Sequence, residues 1–217
     1  MISDGPDKPP RRGASALPPG VRFLPGHLDA VVQAELIAAI REIVRQAPLF
    51  SPEMPRTGKP LSVRMTNCGP LGWVTDKVQG YRYQPQHPVT GKAWPPIPPP
   101  LLDLWRDLAP IAPPPEACLV NLYGPEAHMG LHQDKDESTF DAPVLSVSLG
   151  DEALFRVGGT MRGGPTTSFR LRSGDVLLLE AESRLAYHGV DRIYPGTSTL
   201  LRQPGRINLT LRRVTPS

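Results

Sequence analysis

The hydrophobic rhythm of the chain changes near its middle. Residues 29–46, "DAVVQAELIAAIREIVRQ", place Val32, Leu36, Ile40 and Ile43 at helical spacing. Asp29 is a fitting N-cap and "AP" at 47–48 ends the run, so the pattern predicts an amphipathic helix. A second helix is expected over 99–108, "PPLLDLWRDL", because a first helical turn tolerates proline. Between them, "LSVRMT" at 61–66 and "GYRYQ" at 80–84 read as two short strands joined by a Gly-containing connector.

From residue 117 the period becomes two. Strand-like segments fall at 118–123, 143–149, 152–157, 167–172, 175–181, 185–190 and 206–213. Turns such as "GG" at 158–159 and 163–164 and "SGD" at 173–175 separate them. Short strands with frequent turns and no intervening helices imply a β-sandwich or jelly roll. The expected layout is a polar, disordered tail over 1–17, then one domain over 18–217. That domain holds helices, a small β-lobe and a β-core at about 117–213.

Composition narrows this little. Of the 217 residues, 39% are hydrophobic and 21% charged, as in an ordinary globular chain. Twenty-eight prolines cluster between periodic segments, as punctuation of a folded chain. The two cysteines, Cys68 and Cys118, cannot build a disulfide framework, so buried thiols and a cytoplasmic, reducing setting are expected. No run approaches membrane-spanning length, and the net charge of +3 is only a mild bias toward anionic partners.

The polar run "GLHQDKDES" at 130–138 sits between strand-rich segments. On an extended segment His132 and Asp134 share one face, and one imidazole and one carboxylate can share a metal there. Asp136 shares that parity if the chain stays extended; Gln133 and Lys135 take the other face. Lys135 and Glu137 read as solvated loop residues. His188, in "RLAYHGV" on a strand expected to end at Gly189, can supply a third ligand. Two histidines and a carboxylate form the facial triad of non-haem Fe(II) oxygenases. A strand-end histidine satisfied by hydrogen bonds is the alternative for His188. His128, four residues before His132, sits after the turn-like "GPEA" and is not expected to be a ligand.

"RINLTLRR" at 206–213 alternates strictly. Arg206, Asn208, Thr210 and Arg212 share one face; Ile207, Leu209 and Leu211 share the other. This fits a half-exposed edge strand. It also fits a clamp for a dicarboxylate through charge-assisted forks. Asn121 and Tyr123 share a face in "VNLYG". Two polar strand faces in a β-core are most simply explained by a ligand between them.

The order N-x-Y, H-x-D-x-D-E, "SRLAYHG" and R-x-N-x-T-x-R resembles the AlkB family of Fe(II)/2-oxoglutarate-dependent dioxygenases, its bacterial members above all. The likeness extends from about residue 20 and includes "MTNCGPLGW" at 65–73, "GKAWP" at 91–95 and "LSVSLG" at 145–150. It implies an α+β fold, with a double-stranded β-helix (jelly roll) core, N-terminal helices and a small β nucleotide-recognition lid at about 61–95. It implies His132, Asp134 and His188 as iron ligands. Asn121, Tyr123, Arg206, Asn208 and Arg212 match the 2-oxoglutarate site, without fixing which arginine takes which carboxylate. Trp73, Tyr81 and Tyr83 fall in the lid, and Asp136 and Arg162 match positions lining the alkylated-base pocket.

The implied reaction uses Fe(II), 2-oxoglutarate and O2. It dealkylates N-alkylated bases, such as 1-methyladenine and 3-methylcytosine, in DNA (single- or double-stranded) and by extension RNA. Formaldehyde, succinate and CO2 are the products. The physics of the substrate agrees: a base must be flipped or single-stranded to reach a buried metal, and Trp73 could stack on it. An N1- or N3-alkylated base is cationic, which a carboxylate such as Asp136 favours. The protein is expected to act as a monomer. Two other readings stay open: the same chemistry on a protein or small molecule, and a non-catalytic metal- or nucleic-acid-binding β-barrel.

Overall fold

Asp29 caps the first helix, accepting a hydrogen bond from the Val32 N–H at 2.9 Å. The helix, α1, spans Ala30–Gln46 and buries Leu36, Ile37, Ile40 and Ile43. The second, α2, spans Pro99–Leu108 with proline in its first turn and buries Leu101, Leu104 and Trp105. These contacts come from a computed structural model that describes residues 17–216. The tail expected over 1–17 lies outside the described residues, Leu17 apart.

The strands are β1 (Val21–Leu24), β2 (Arg64–Cys68), β3 (Gly72–Asp76), β4 (Gly80–Gln84), β5 (Ala117–Tyr123) and β6 (Met129–His132). They continue with β7 (Val144–Gly150), β8 (Glu152–Gly158), β9 (Thr166–Leu171), β10 (Val176–Leu179), β11 (His188–Tyr194) and β12 (Arg206–Arg212). Six form a major sheet in the order β1-β10-β7-β12-β5-β2, and four a minor sheet, β6-β11-β8-β9. This is the expected jelly roll.

Burial follows the alternation of each strand. Leu145, Val147, Leu149, Val176, Leu178, Ile207, Leu209 and Leu211 face outward, where Leu36, Ile40, Leu101 and Trp105 of the helices cover them. Val144, Leu177 and Leu179 face inward and meet Ala153, Phe155, Val157, Val190 and Ile193 of the minor sheet. "VLLL" in β10 is an unbroken apolar run because both of its faces are buried.

Four expectations change. β12 is central, paired to β5 and β7 along nearly its whole length, so its polar face is no edge-strand exterior. The "LSVRMT" strand is displaced to Arg64–Cys68 and joins the major sheet beside β5. The partner of "GYRYQ" is instead β3, inside the expected connector; β3 and β4 form a two-stranded hairpin of their own. β11 begins at His188 where the strand was expected to be ending. The residues before it form a 3₁₀ turn at Ala181–Ser183. Cys68 and Cys118 lie opposite one another across β2 and β5 as buried free thiols.

Candidate active site

The minor sheet delivers both histidines. His132 ends β6, His188 opens β11, and the register pairs them directly, with ring centroids 4.5 Å apart. A backbone carbonyl two residues upstream orients each ring: His132 Nδ1 lies 2.9 Å from the Gly130 oxygen, and His188 Nδ1 2.9 Å from the Ala186 oxygen. A carbonyl only accepts, so each Nδ1 carries the proton and each Nε2 keeps its lone pair for a metal. Gly189 permits the close approach of the strands. A Cβ there would sit 2.6 Å from the Met129 carbonyl oxygen and 3.0 Å from that of Gly130.

Asp134 closes the triangle. Its Oδ1 is 3.6 Å from His132 Nε2 and its Oδ2 3.5 Å from His188 Nε2. One ligand atom from each residue lies within 4.8 Å of the others. This is the donor set that suits Fe(II) with positions left open. His132 keeps 37% of its side-chain exposure, yet loss of surrounding water, then the neighbouring His188, push its pKa down to about 4. Burial works against the Asp134 charge, but Arg212 and the two histidines outweigh it and hold the carboxyl well below its ordinary value. A neutral imidazole and an ionised carboxylate are the forms that bind metal.

The extended parity stops at Asp134. Asp136, expected to continue it inward, is exposed, and Glu137, expected in solvent, is buried. Gln133 is no solvent cover either: its Nε2 donates to the Leu185 oxygen at 2.7 Å and the Thr160 oxygen at 3.3 Å. The Arg184 guanidinium fixes the same segment, with Nη1 donating to the Asp134 carbonyl and Nε to the Ala142 carbonyl, both at 2.8 Å. His128 is exposed and outside the cluster, as expected.

The major sheet supplies the facing wall. Arg206, Asn208 and Thr210 of β12 point between the sheets with Asn121 and Tyr123 of β5. Register sets Arg206 opposite Tyr123 and Asn208 opposite Asn121. Arg206 Nη2 donates to Ser148 Oγ at 2.6 Å and Asn208 Nδ2 to Ser146 Oγ at 2.7 Å. Those serines were passed over in the sequence, although the S-x-S spacing in "VLSVSLG" puts them on one strand face. Burial lowers the Arg206 pKa to about 10 and raises that of Tyr123 to about 12. Arg212 reaches the metal cluster, its Nη2 2.8 Å from Asp134 Oδ2. Burial opposes its charge, but Asp134, Tyr83 and Glu137 more than compensate. Both arginines keep a buried Nε without a hydrogen-bond partner. Both also line the cavity described below, where an anionic group can accept from them.

A cavity of about 550 Å³ joins these groups to the surface. Trp73, Tyr81, Asp136 and Arg162 line its outer part. Trp73 and Tyr81 stack with centroids 5.7 Å apart, and Trp73 Nε1 donates to Asp136 Oδ2 at 2.8 Å. Tyr83 is not among the lining residues; its hydroxyl turns inward to Glu137.

A jelly roll that carries two histidines and one carboxylate between its sheets defines a non-haem iron oxygenase. A family model described as the 2OG-Fe(II) oxygenase superfamily matches residues 20–212. The alpha-ketoglutarate-dependent dioxygenase AlkB homolog of Caulobacter vibrioides is 55% identical over 195 residues, or 90% of this chain and 88% of that one. The alpha-ketoglutarate-dependent dioxygenase AlkB of Escherichia coli is 43% identical over 183 residues, covering 82% and 83%. The solved structure of OsALKBH1 matches with a TM-score of 0.79 at 32% identity, over 91% of this chain and 98% of that one. Shorter stretches match the DNA N(6)-methyladenine demethylase ALKBH1C of Arabidopsis thaliana (42% over 109 residues) and the tRNA demethylase abh1 of Schizosaccharomyces pombe (31% over 113). The chain belongs to the 2OG-Fe(II) oxygenase superfamily and, within it, to the AlkB family. It is thus an Fe(II)-dependent dioxygenase that consumes 2-oxoglutarate and O2.

Proposed function

We propose that this dioxygenase removes alkyl groups from the ring nitrogens of nucleobases such as 1-methyladenine and 3-methylcytosine, in DNA of either strandedness and in RNA. The observation that carries the reading is one cavity with three parts. Metal-ready His132, Asp134 and His188 form its inner end, the two arginines with unpaired Nε groups its wall, and a stacked Trp73–Tyr81 pair its mouth. The names of the Arabidopsis and fission-yeast relatives support a nucleic-acid substrate.

In this reading His132, Asp134 and His188 hold Fe(II). Bound iron with 2-oxoglutarate and O2 supplies an oxidative decarboxylation that hydroxylates the N-linked alkyl carbon, which leaves as formaldehyde with succinate and CO2. The chain's own side chains do the rest. Arg212, beside Asp134, takes the cosubstrate carboxylate nearest the metal. Arg206, six residues along β12 and braced by Ser148, takes the far carboxylate with Tyr123. Asn121 and Asn208 fill the side of the clamp. Trp73 and Tyr81 stack on a base presented singly, and Asp136 favours its cationic, alkylated form. Arg162 at the mouth suits a phosphate or base edge.

We further assign residues 18–217 to one domain acting as a monomer, with the β3–β4 hairpin as part of its nucleotide-recognition lid. The two free, buried thiols suit a reducing, cytoplasmic setting. Incubating the protein with Fe(II), 2-oxoglutarate and an oligonucleotide carrying 1-methyladenine or 3-methylcytosine tests the function. The expected product is lighter by one methylene; an unchanged mass with active cosubstrate turnover overturns the nucleobase reading.

A further inference from the structure

Glu137 is a buried charge beside the site that the proposed chemistry leaves unused. It lies on the loop after the metal-cluster carboxylate, and its side chain is 0% exposed. Placing a carboxylate there is costly unless it is paired and hydrogen-bonded. The Tyr83 hydroxyl donates to Glu137 Oε1 at 2.7 Å. Arg212 Nη1 donates to the same oxygen at 2.9 Å and to the Tyr83 hydroxyl oxygen at 3.1 Å. Arg184 Nη2 approaches the other oxygen, Oε2, at 3.4 Å.

The three groups form a closed triangle with fixed polarity. The tyrosine hydroxyl has one proton, given to Glu137, and so it faces Arg212 as an acceptor. Both protons on Arg212 Nη1 are thereby committed. Nη2 is ion-paired with Asp134 at 2.8 Å, and Nε remains a donor without a partner. The guanidinium plane is set by Tyr83 and Glu137 before any ligand arrives, and preorganised donors bind without the cost of ordering.

Tyr83 stands on β4, in the lid hairpin, directly across from Trp73. Its ring packs inward against Met65, Leu119 and Val214 while Trp73 and Tyr81 form the stacked pair at the mouth. The hairpin thus carries two functions on one face, divided by depth.

We propose that Tyr83 and Glu137 are positioning residues for Arg212, so that the lid strand sets the geometry of the cosubstrate clamp while Tyr83 itself makes no contact with the base. This rests on the assignment of Arg212 to 2-oxoglutarate.

The test is anaerobic binding. Full-length protein loaded with Mn(II) is titrated calorimetrically with 2-oxoglutarate, and separately with a fluorescent methylated oligonucleotide. Removing a hydrogen bond that positions Arg212 without touching the ligand transmits part of its worth, and predicts a 2-oxoglutarate Kd raised about three- to tenfold in Tyr83→Phe, and more in Glu137→Gln. Oligonucleotide affinity stays within about twofold of the parent in Tyr83→Phe, whereas Trp73→Ala loses it. With Fe(II) in place of Mn(II), the visible absorption of the 2-oxoglutarate complex shifts in both variants, a change that a purely structural role would not produce. Should Glu137→Gln fail to fold, Tyr83→Phe decides alone, because it keeps the ring that packs in the core. Unchanged 2-oxoglutarate affinity with lost oligonucleotide affinity in Tyr83→Phe overturns the proposal and makes Tyr83 a base-contacting residue. If Arg212→Ala binds 2-oxoglutarate normally, it is the assignment of Arg212 that fails.

Discussion

His132 and His188 face one another across β6 and β11, and each is turned by a carbonyl two residues before it. The sheet itself therefore builds two-thirds of the metal cluster. His132→Ala should abolish the visible absorption that appears on anaerobic addition of Fe(II) and 2-oxoglutarate, and turnover with it. Retained absorption would remove His132 from the ligand set.

Gly189 is where that pairing can be broken without touching a ligand. A Cβ in Gly189→Ala must push against the Met129 and Gly130 backbone, which cannot rotate away. The strands should separate and Fe(II) affinity fall by roughly tenfold or more, as metal sites need ligands placed to a few tenths of an ångström. Calorimetric metal binding by the two proteins checks this.

Arg206→Ala should raise the 2-oxoglutarate KM by about ten- to hundredfold, the worth of a charge-assisted hydrogen bond or two. Metal affinity should stay near that of the parent, because Arg206 makes no contact with the cluster. Loss of metal instead would contradict the division of labour between the two arginines.

Trp73→Ala should slow oligonucleotide repair by roughly five- to a hundredfold, the value of one base–aromatic stack. Decarboxylation of 2-oxoglutarate without substrate should continue. Equal loss of both would make Trp73 a packing residue of the hairpin. Comparing succinate formation with and without oligonucleotide separates the outcomes.

Glu116 sets a pH dependence away from the site. Burial pushes its pKa up, but N–H and O–H groups of Thr215, the Val214 N–H and the Arg213 charge outweigh this and leave it below its ordinary 4.5. A depressed carboxylate stabilises the fold fully above its unfolded pKa, and that part is lost as pH falls through the native value. Glu116→Gln should cost about 1 kcal/mol at pH 7. The gap between variant and parent in urea unfolding should shrink below about pH 4.

Much of this was legible because strand alternation is rigid. The partition of "RINLTLRR" into a polar and an apolar face survives intact, and so does the pairing of Asn121 with Tyr123 on one face. What alternation does not report is which sheet a strand joins. β12 could have been an edge strand, and "LSVRMT" a lid strand; long-range pairing decided both. Nor does parity extend beyond a strand's end. The loop after His132 follows its own hydrogen bonds, to Leu185 and to Arg184, which expose Asp136 and bury Glu137. A charged residue within "DKDES" reads as solvent-facing until its partners, tens of residues away, are known.

Arg206 and Arg212 stand on the same face of one central strand, with no hinge between them. At about 3.3 Å per residue, six residues fix their backbones about 20 Å apart, and both side chains line the same cavity. Hydrogen bonds to β5 and β7 on both sides keep that length from stretching. If both arginines hold one diacid, as proposed, the spacing of its carboxylates is measured against a strand that cannot stretch. Selectivity for chain length then resides in the strand itself, and no loop has to move to enforce it.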